Sequence, residues 1–305
     1  MSKILNVNKP SDYSAWLGQQ DSHDLITVID FSELSPVRYS LNRYDVYGLF
    51  IQGKTEGCDD GVDLVYGTGK YDYTEGTLIC VAPGQIGGKE DTGEAVNMTG
   101  WAVLFHPDLL QGTGLEHEIK NFSFFDYRVN EALHMSSEER EIIVTIVRQL
   151  KRELEFPADE IQNRILVGFI NSLLRYAQRF YNRQFATRSL LNDSLLSKFD
   201  ELLKKSFEPD TSRKTGVPTV QSFAEEMGMS PSYLSDLIKK ITGETAGRYI
   251  KNYMAQLARN RLISGMNSSE VAYSLGFEYP QHFARTFKKI TGMTPTQYVD
   301  SRKKS

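Results

Sequence analysis

The pentapeptide KKITG occurs twice near the C-terminus, beginning at Lys239 and again 49 residues later at Lys288. Each copy is followed at matched spacing by Thr, Tyr and an aliphatic residue: Thr245, Tyr249 and Ile250 in the first, Thr294, Tyr298 and Val299 in the second. A phrase repeated at this level of detail points to one supersecondary unit used twice. Whatever the rest of the chain does, its last third has to build two copies of the same small object.

The residues ahead of each phrase say what that object is. Counting Val220 as the first position of a helix-turn-helix, Ala224 falls where two helices cross closely and Gly228 where the turn needs a positive φ. Leu234 and Leu237 fall where the second helix packs on the first. Ser230 followed by Pro231 is an N-cap and N1 pair that starts this second helix. In the second copy Ala272 and Gly276 keep the same interval, Phe283 and Phe287 replace Leu234 and Ile238, and the turn is one residue longer. There Glu278 or Tyr279 precedes Pro280 as a weaker cap, while Asn267 and Glu270 have capping-box spacing. Between the copies, TAGRYIKNYMAQLARNRLISG reads as one helix with Tyr249, Tyr253, Leu257 and Arg261 in a row, Ile250, Met254 and Leu262 beside it, and Gly265 to end it. Nearly 20 helical residues span about 30 Å, close to the roughly 34 Å between successive major grooves on one face of B-DNA.

Charge separates this region from the rest. The 305 residues carry a net charge of −4, but residues 211–305 hold 14 Lys and Arg against 7 Asp and Glu, a net +7 that leaves residues 1–210 at −11. A basic segment behind an acidic body is the footprint of a nucleic-acid-binding module joined to something else. The two cysteines, Cys58 and Cys80, have neither CxxC nor Cys/His ligand spacing, so a disulfide framework or zinc site is not indicated. No signal peptide or membrane-length apolar run is found, and the expected setting is the cytoplasm, without a membrane partner.

Three regions are expected, giving an α+β chain. Short runs rich in Val, Ile, Tyr, Phe and Thr between residues 23 and 130, such as DLITVIDF, YDVYGLFIQG, DLVYG, KYDYT, GTLICVAPG and MTGWAVLFHP, predict a β-sandwich or small barrel. Residues 136–206 predict helices: Ser136 and Glu139 form a capping box ahead of Ile142, Ile146 and Leu150, and Asp159 caps the next helix. That helix carries two apolar rows, one through Ile161, Ile165, Phe169, Leu173, Tyr176 and Phe180, the other through Leu166, Ile170 and Leu174. Two rows exceed one packing face, so Leu166, Phe169, Ile170, Leu173 and Leu174 are candidates for a homodimer contact, although burial within one chain would read the same way. Residues 207–217, with EPDTSRKTGVP, predict a linker between a domain at 1–206 and an all-α domain at 218–305.

The segment RLISGMNSSEVAYSLGFEYPQHFARTFKKITGMTPTQYV resembles the C-terminal signature of the AraC/XylS family of transcription regulators, with its LGF, FARTFKK and GxTPxxY elements in order. The resemblance covers about 218–298 and implies sequence-specific binding of double-stranded DNA by both motifs, behind an N-terminal domain that senses a small molecule, dimerises, or both. It also implies activation through RNA polymerase as the commoner mode, and a half-site of roughly 17–20 base pairs. Carried onto this chain, the pattern places Pro280, Gln281 and Arg285 on the groove face of the second reading helix, with Lys288 and Lys289 at phosphates and His282 in either a packing or a polar role. In the first reading helix the corresponding residues are Ser232, Ser235, Asp236 and Lys239; Asp236 departs from the family, which commonly has Arg there.

The β-rich part resembles the cupin-like sensor barrel of many family members, with EGTLICVAPGQ similar to the second cupin motif. Arg38, Tyr44, Tyr47, Gln85 and Trp101 are candidate ligand contacts, each weighed against ordinary packing, and a sugar would suit the aromatics. The alternative is a cupin-type metalloenzyme fused to the DNA-binding part. Against it, Asn42, Tyr44 and Gly87 stand where the metal-binding histidines would fall, and no HxH, HxxxH, nucleophile elbow, Walker loop or GxGxxG occurs. Gly67-Thr68-Gly69-Lys70 reads as a hairpin turn. A non-enzymatic regulator without cofactor or metal is therefore expected.

Overall fold

A computed structural model describes residues 4–52, 76–88, 91, 93–128, 131–190 and 193–303. The chain divides into two compact units, Met1–Gln184 and Phe185–Ser305. In chain order the first contains β1 (Leu5–Val7), α1 (Pro10–Trp16), β2 (Ile26–Asp30), β3 (Val37–Arg38), β4 (Leu41–Tyr44), β5 (Tyr47–Gln52), β6 (Thr77–Val81), β7 (Ile86–Gly88), β8 (Ala95–Val96) and β9 (Gly100–Phe105). These are followed by α2 (Leu115–Glu118), β10 (Leu133–His134), α3 (Ser137–Glu153) and α4 (Gln162–Leu190), within which the unit boundary falls.

The largest sheet is antiparallel, in the order β10-β6-β5-β9-β2. Its strand β9, GWAVLF, is buried at every position because it has a partner on each edge and packing on both faces. On one face Ala102 and Leu104 join Val7, Tyr13, Ile29, Tyr44 and Val81 in a core that also draws on β1, β4 and α1. Helix α3 packs against β2 and β9. A second sheet has the order β1-β4-β7, and β3 pairs with β8. The expected cupin-like barrel is not what the described strands build: they form three separate sheets, none closed on itself. Strands β3 and β8, with two residues each, pair only with one another and do not bridge the larger sheets. The runs DLVYG and KYDYT and the turn at Gly67–Lys70 lie outside the described residues.

The helices start where their caps predict. Glu139 N donates to Ser136 Oγ at 3.2 Å and Ser136 N to Glu139 Oε2 at 3.0 Å. Asp159 Oδ1 accepts from the Ile161 and Gln162 amides at 2.9 and 2.8 Å. Which apolar row faces inward is another matter. In α3 the buried residues are Ile143, Val144, Val147 and Leu150, and Ile142 is 38% exposed. In α4 Leu166, Ile170, Leu173 and Leu174 are at most 2% exposed inside the N-terminal unit, whereas Ile161 is 58% exposed and Phe169 half-buried. Four of the five candidate dimer residues are thus consumed by the chain's own core, which corrects their assignment to a partner surface.

The second unit adds α5 (Asp193–Ser206), α6 (Pro209–Thr215), α7 (Val220–Glu226), α8 (Pro231–Thr242), α9 (Ala246–Ile263), α10 (Ser268–Ser274), α11 (Pro280–Thr291) and α12 (Pro295–Lys303). One core holds Phe199 and Leu203 of α5 and Phe207 just after it, together with Phe223, Leu234, Ile250, Met254, Val271, Phe283 and Phe287. Helix α5, expected with the N-terminal domain, therefore packs with the C-terminal helices. The stretch 207–217, expected as a linker, contains α6: Ser212 is fully buried and its Oγ donates to the Ser274 carbonyl at 2.9 Å. Arg261 explains why this polar segment folds. Its guanidinium donates to the Ser274 carbonyl and Oγ, both at 2.7 Å, and to the Phe207 carbonyl at 3.0 Å, so one half-buried cation ties α10 to the residues that lead into α6.

Candidate nucleic-acid interface

Each repeat is a helix, a glycine-centred turn and a second helix, with the first helix opened and the second helix closed in the same way in both copies. Thr219 opens α7 by accepting from Ser222 N at 3.2 Å, and Asn267 opens α10 by accepting from Ser269 N and Glu270 N at 3.0 Å. Gly228 and Gly276 take φ of +71° and +87°, a region that costs any residue with a Cβ. After them Met229 N returns to the Ala224 carbonyl at 2.8 Å and Phe277 N to the Ala272 carbonyl at 3.0 Å, the same bond in both copies. The reading helices then begin three residues after Gly228 but four after Gly276, as the alignment of the copies requires. Ser230 caps α8 by accepting from Tyr233 N at 3.2 Å, whereas Tyr279 makes no side-chain cap for α11.

The repeated phrase is the machinery that ends each reading helix and starts the next. Gly243 and Gly292, both at φ +80°, donate to the carbonyls of Lys239 and Lys288 at 2.9 and 2.8 Å. Thr242 and Thr291 hydroxyls donate back to the carbonyls of Ile238 and Phe287 at 2.9 and 2.8 Å and accept from the amides of Glu244 and Met293. Thr245 and Thr294 then cap α9 and α12. The 18 residues of α9 span about 27 Å at a 1.5 Å rise. Its Tyr249 and Tyr253 face α5 and the residue that follows it: Tyr249 OH donates to Asp200 Oδ1 at 3.0 Å, and the Tyr253 and Phe207 rings are 5.8 Å apart.

On α11 the residues expected at DNA are Gln281, Arg285, Lys288 and Lys289, all exposed, with Pro280 half-buried; Phe283 and Phe287 are fully buried beneath them. Arg285, Lys288 and Lys289 make no hydrogen bond or ion pair among the described residues, so their charge faces solvent. His282 is exposed and meets the half-exposed Tyr279 edge to face at 5.5 Å, a pair at the leading end of α11 that the sequence did not single out. On α8, Lys239 is exposed but Ser232, Ser235 and Asp236 are half-buried.

The N-terminal unit holds a cavity of about 210 Å³ lined mainly by Tyr13, Trp16, Phe31, Tyr44, Phe50 and Met98, with Arg38, Asn42, Gly87 and Trp101 also contributing. Arg38, Tyr44 and Trp101 are thus where a ligand contact was expected. Tyr47 and Gln85 are not: the Tyr47 ring packs on Phe105 and Phe125 at 5.3 and 5.0 Å, and Gln85 bridges Ala82 N and the Phe125 carbonyl at 2.9 and 2.6 Å. Arg38 is held at the rim by Asp91, with Nε to Oδ1 at 3.0 Å and Nη2 to Oδ2 at 2.7 Å. The Gly93 amide and then Arg38 hold the Asp91 carboxyl below its ordinary range.

Asn42 Nδ2 donates to Tyr44 OH at 3.0 Å, and Gly87 pairs with Asn42, so the three positions of the cupin metal set do converge. They do not fit a transition ion. Gly87 has no donor atom, the Asn42 amide is spent on Tyr44, and burial pushes the Tyr44 phenol up to about 12. Burial likewise raises Tyr13. Because the folded value for Tyr44 lies above its ordinary 10.0, its contribution to stability is complete below pH 10.0 and is lost as pH rises through about 12. Urea unfolding followed by fluorescence of Trp16 and Trp101 is expected to show this alkaline loss, reduced in Tyr44→Phe; an unchanged slope in that variant would contradict the assignment.

A family model described as "Helix-turn-helix domain" matches residues 223–301. The protein named as an uncharacterized HTH-type transcriptional regulator YtdP of Bacillus subtilis is 30% identical over 86 residues, 28% of this chain and 11% of that one. The uncharacterized transcriptional regulatory protein YesN of Bacillus subtilis is 29% identical over 130 residues, 41% of this chain and 34% of that one. The chain therefore spans well under two thirds of the length of these relatives. The solved C-terminal domain of the two-component response regulator yesN from Fusobacterium nucleatum is 28% identical, covering 33% of this chain and 96% of that one, with a TM-score of 0.29. Among the described residues no helix is long and apolar enough to cross a membrane, and no three His, Cys, Asp or Glu side chains are grouped to hold a metal ion.

Proposed function

We propose that this chain, whose residues 223–301 form a helix-turn-helix domain of the AraC type, is a sequence-specific DNA-binding transcription regulator controlled by a small molecule. The observation that carries this reading is the pair of matching motifs joined by α9, with an exposed basic stripe of Arg285, Lys288 and Lys289, unpaired among the described residues, on the second reading helix. Arg285 would read guanine O6 and N7, Gln281 an adjacent base, and the lysines would neutralise phosphate. Ser232, Ser235, Asp236 and Lys239 would face the other groove. The effector would occupy the cavity of about 210 Å³, whose aromatic wall and neutral Tyr13 and Tyr44 favour an uncharged, partly apolar molecule, a sugar among the candidates. Activation through RNA polymerase, a homodimeric state and a cytoplasmic setting complete the proposal. Its domain division is a sensor within Met1–Gln184 and a reader within Phe185–Ser305, with α5 and α6 folded onto the reader.

In vitro selection from random duplexes with the full chain tests this directly. One enriched sequence family is expected, bound with an affinity that falls steeply with salt as counterions are released. If no duplex is enriched over the starting pool, the regulator reading fails.

A further inference from the structure

The two reading helices are not equally open, and the repeat supplies its own control. Tyr233 and His282 occupy equivalent positions, yet Tyr233 is 1% exposed and His282 is exposed. Ser232 and Asp236 are half-buried where their counterparts Gln281 and Arg285 are exposed. The turn glycine, core positions and trailing phrase are common to both copies; the cap of the reading helix, the turn length and what lies on the leading turn are not. On the leading turn of α8 lies Phe185, the first residue of the C-terminal unit, in the final turns of α4. Its ring lies 5.0 Å from that of Tyr233 with the planes at 57°, and Phe185 is itself 3% exposed. In the second copy the ring partner of His282 is Tyr279, which is half-exposed, and both remain open to solvent.

A major groove about 12 Å wide admits one helix, and a helix with its side chains is already about 10–12 Å across. Helix α8 cannot seat its N-terminal turn in a groove while the end of α4 lies on that turn. We propose that the C-terminal end of α4 is an autoinhibitory cover on the first reading helix. In the state described α11 is free to read DNA and α8 is not, and use of the second groove requires Phe185 to leave Tyr233. The inference rests on the DNA-binding reading of this domain and adds to it an order of engagement: α11 first, α8 after release. A cover in place nine-tenths of the time lowers apparent two-groove affinity about tenfold.

The test uses full-length wild-type and Phe185→Ala proteins, each selecting from the same random duplex library. The variant is expected to enrich a site longer by about 10 base pairs, one helical turn, and to bind it about tenfold more tightly than wild type does. Equal site lengths and equal affinities, with the far-UV circular dichroism of the variant unchanged, would overturn the cover. Should the variant fold poorly, hydrogen exchange on the wild-type chain decides: amides from 185 to 190 are expected to exchange faster when the selected duplex is bound. Slower or unchanged exchange there refutes the proposal. Failure of both proteins to enrich any duplex would instead remove the DNA-binding reading and the cover with it.

Discussion

Gly276→Ala is expected to destabilise the C-terminal unit by about 3 kcal/mol or more, while Gly228→Ala, at the matching position of the first motif, costs about 1 kcal/mol. Both glycines have positive φ, so both pay the left-handed penalty of roughly 1–2 kcal/mol that a Cβ imposes. They differ in what the new methyl group meets. At Gly228 nothing lies within 4 Å; at Gly276 it would stand 2.6 Å from Gly216 C, 2.7 Å from Gly216 O and 2.8 Å from Ser212 O. Those atoms are backbone, and they are held in place by the Ser212 and Arg261 hydrogen bonds to Ser274. Overpacking against a fixed wall adds about 1–3 kcal/mol. Against the 5–15 kcal/mol typical of a whole domain, that loss is large. Because both tryptophans, Trp16 and Trp101, belong to the N-terminal unit, tryptophan fluorescence follows that unit alone, and the part of the far-UV circular dichroism transition that fluorescence does not share follows the C-terminal helices. Urea midpoints for Gly276→Ala that match those of Gly228→Ala would show that α6 does not pack as described.

Arg285→Ala is expected to weaken binding to a selected duplex by about 1–3 kcal/mol, roughly 5- to 150-fold, and to relax preference at one base pair. The guanidinium is exposed, makes no bond among the described residues that the change would break, and sits on the same helix as the buried Phe283 and Phe287, which continue to hold α11 in place. Its loss therefore acts on binding and not on folding. Asp236→Ala, at the equivalent position of α8, should leave affinity unchanged or raise it, because a carboxylate repels phosphate unless it accepts from a cytosine N4 amine. Competition binding at fixed salt separates the two. An Arg285 variant that binds as wild type, beside an Asp236 variant that loses a decade, would invert the roles assigned to the two motifs.

Much of this site is legible before any folding is considered, because it is local. A capping box, a left-handed glycine after a helix and a threonine returning to the carbonyl four residues back involve groups a few residues apart, so Ser136, Asp159, Ser230, Asn267, Gly243 and Gly292 could each be read from their neighbours. The outward positions of α11 follow from the same periodicity once Phe283 and Phe287 are placed inside.

Where two registers were equally apolar, local chemistry could not choose between them. The run REIIVTIV permits an inward row through Ile142 or through Ile143, and α4 offers two rows of similar hydropathy; the sheet and helices packed against them selected Ile143 and Leu166. Long-range contacts decided the remainder: that α5 and α6 join the C-terminal core, that Tyr47 and Gln85 serve packing while Asn42 and Tyr13 line the cavity, and that Phe185 lies on Tyr233. Sequence alone determined the two motifs, their caps and their charge, since those depend on spacing along the chain. Only the tertiary structure decided which faces are spent inside and which stay open, since burial depends on residues far away in sequence that nothing local encodes.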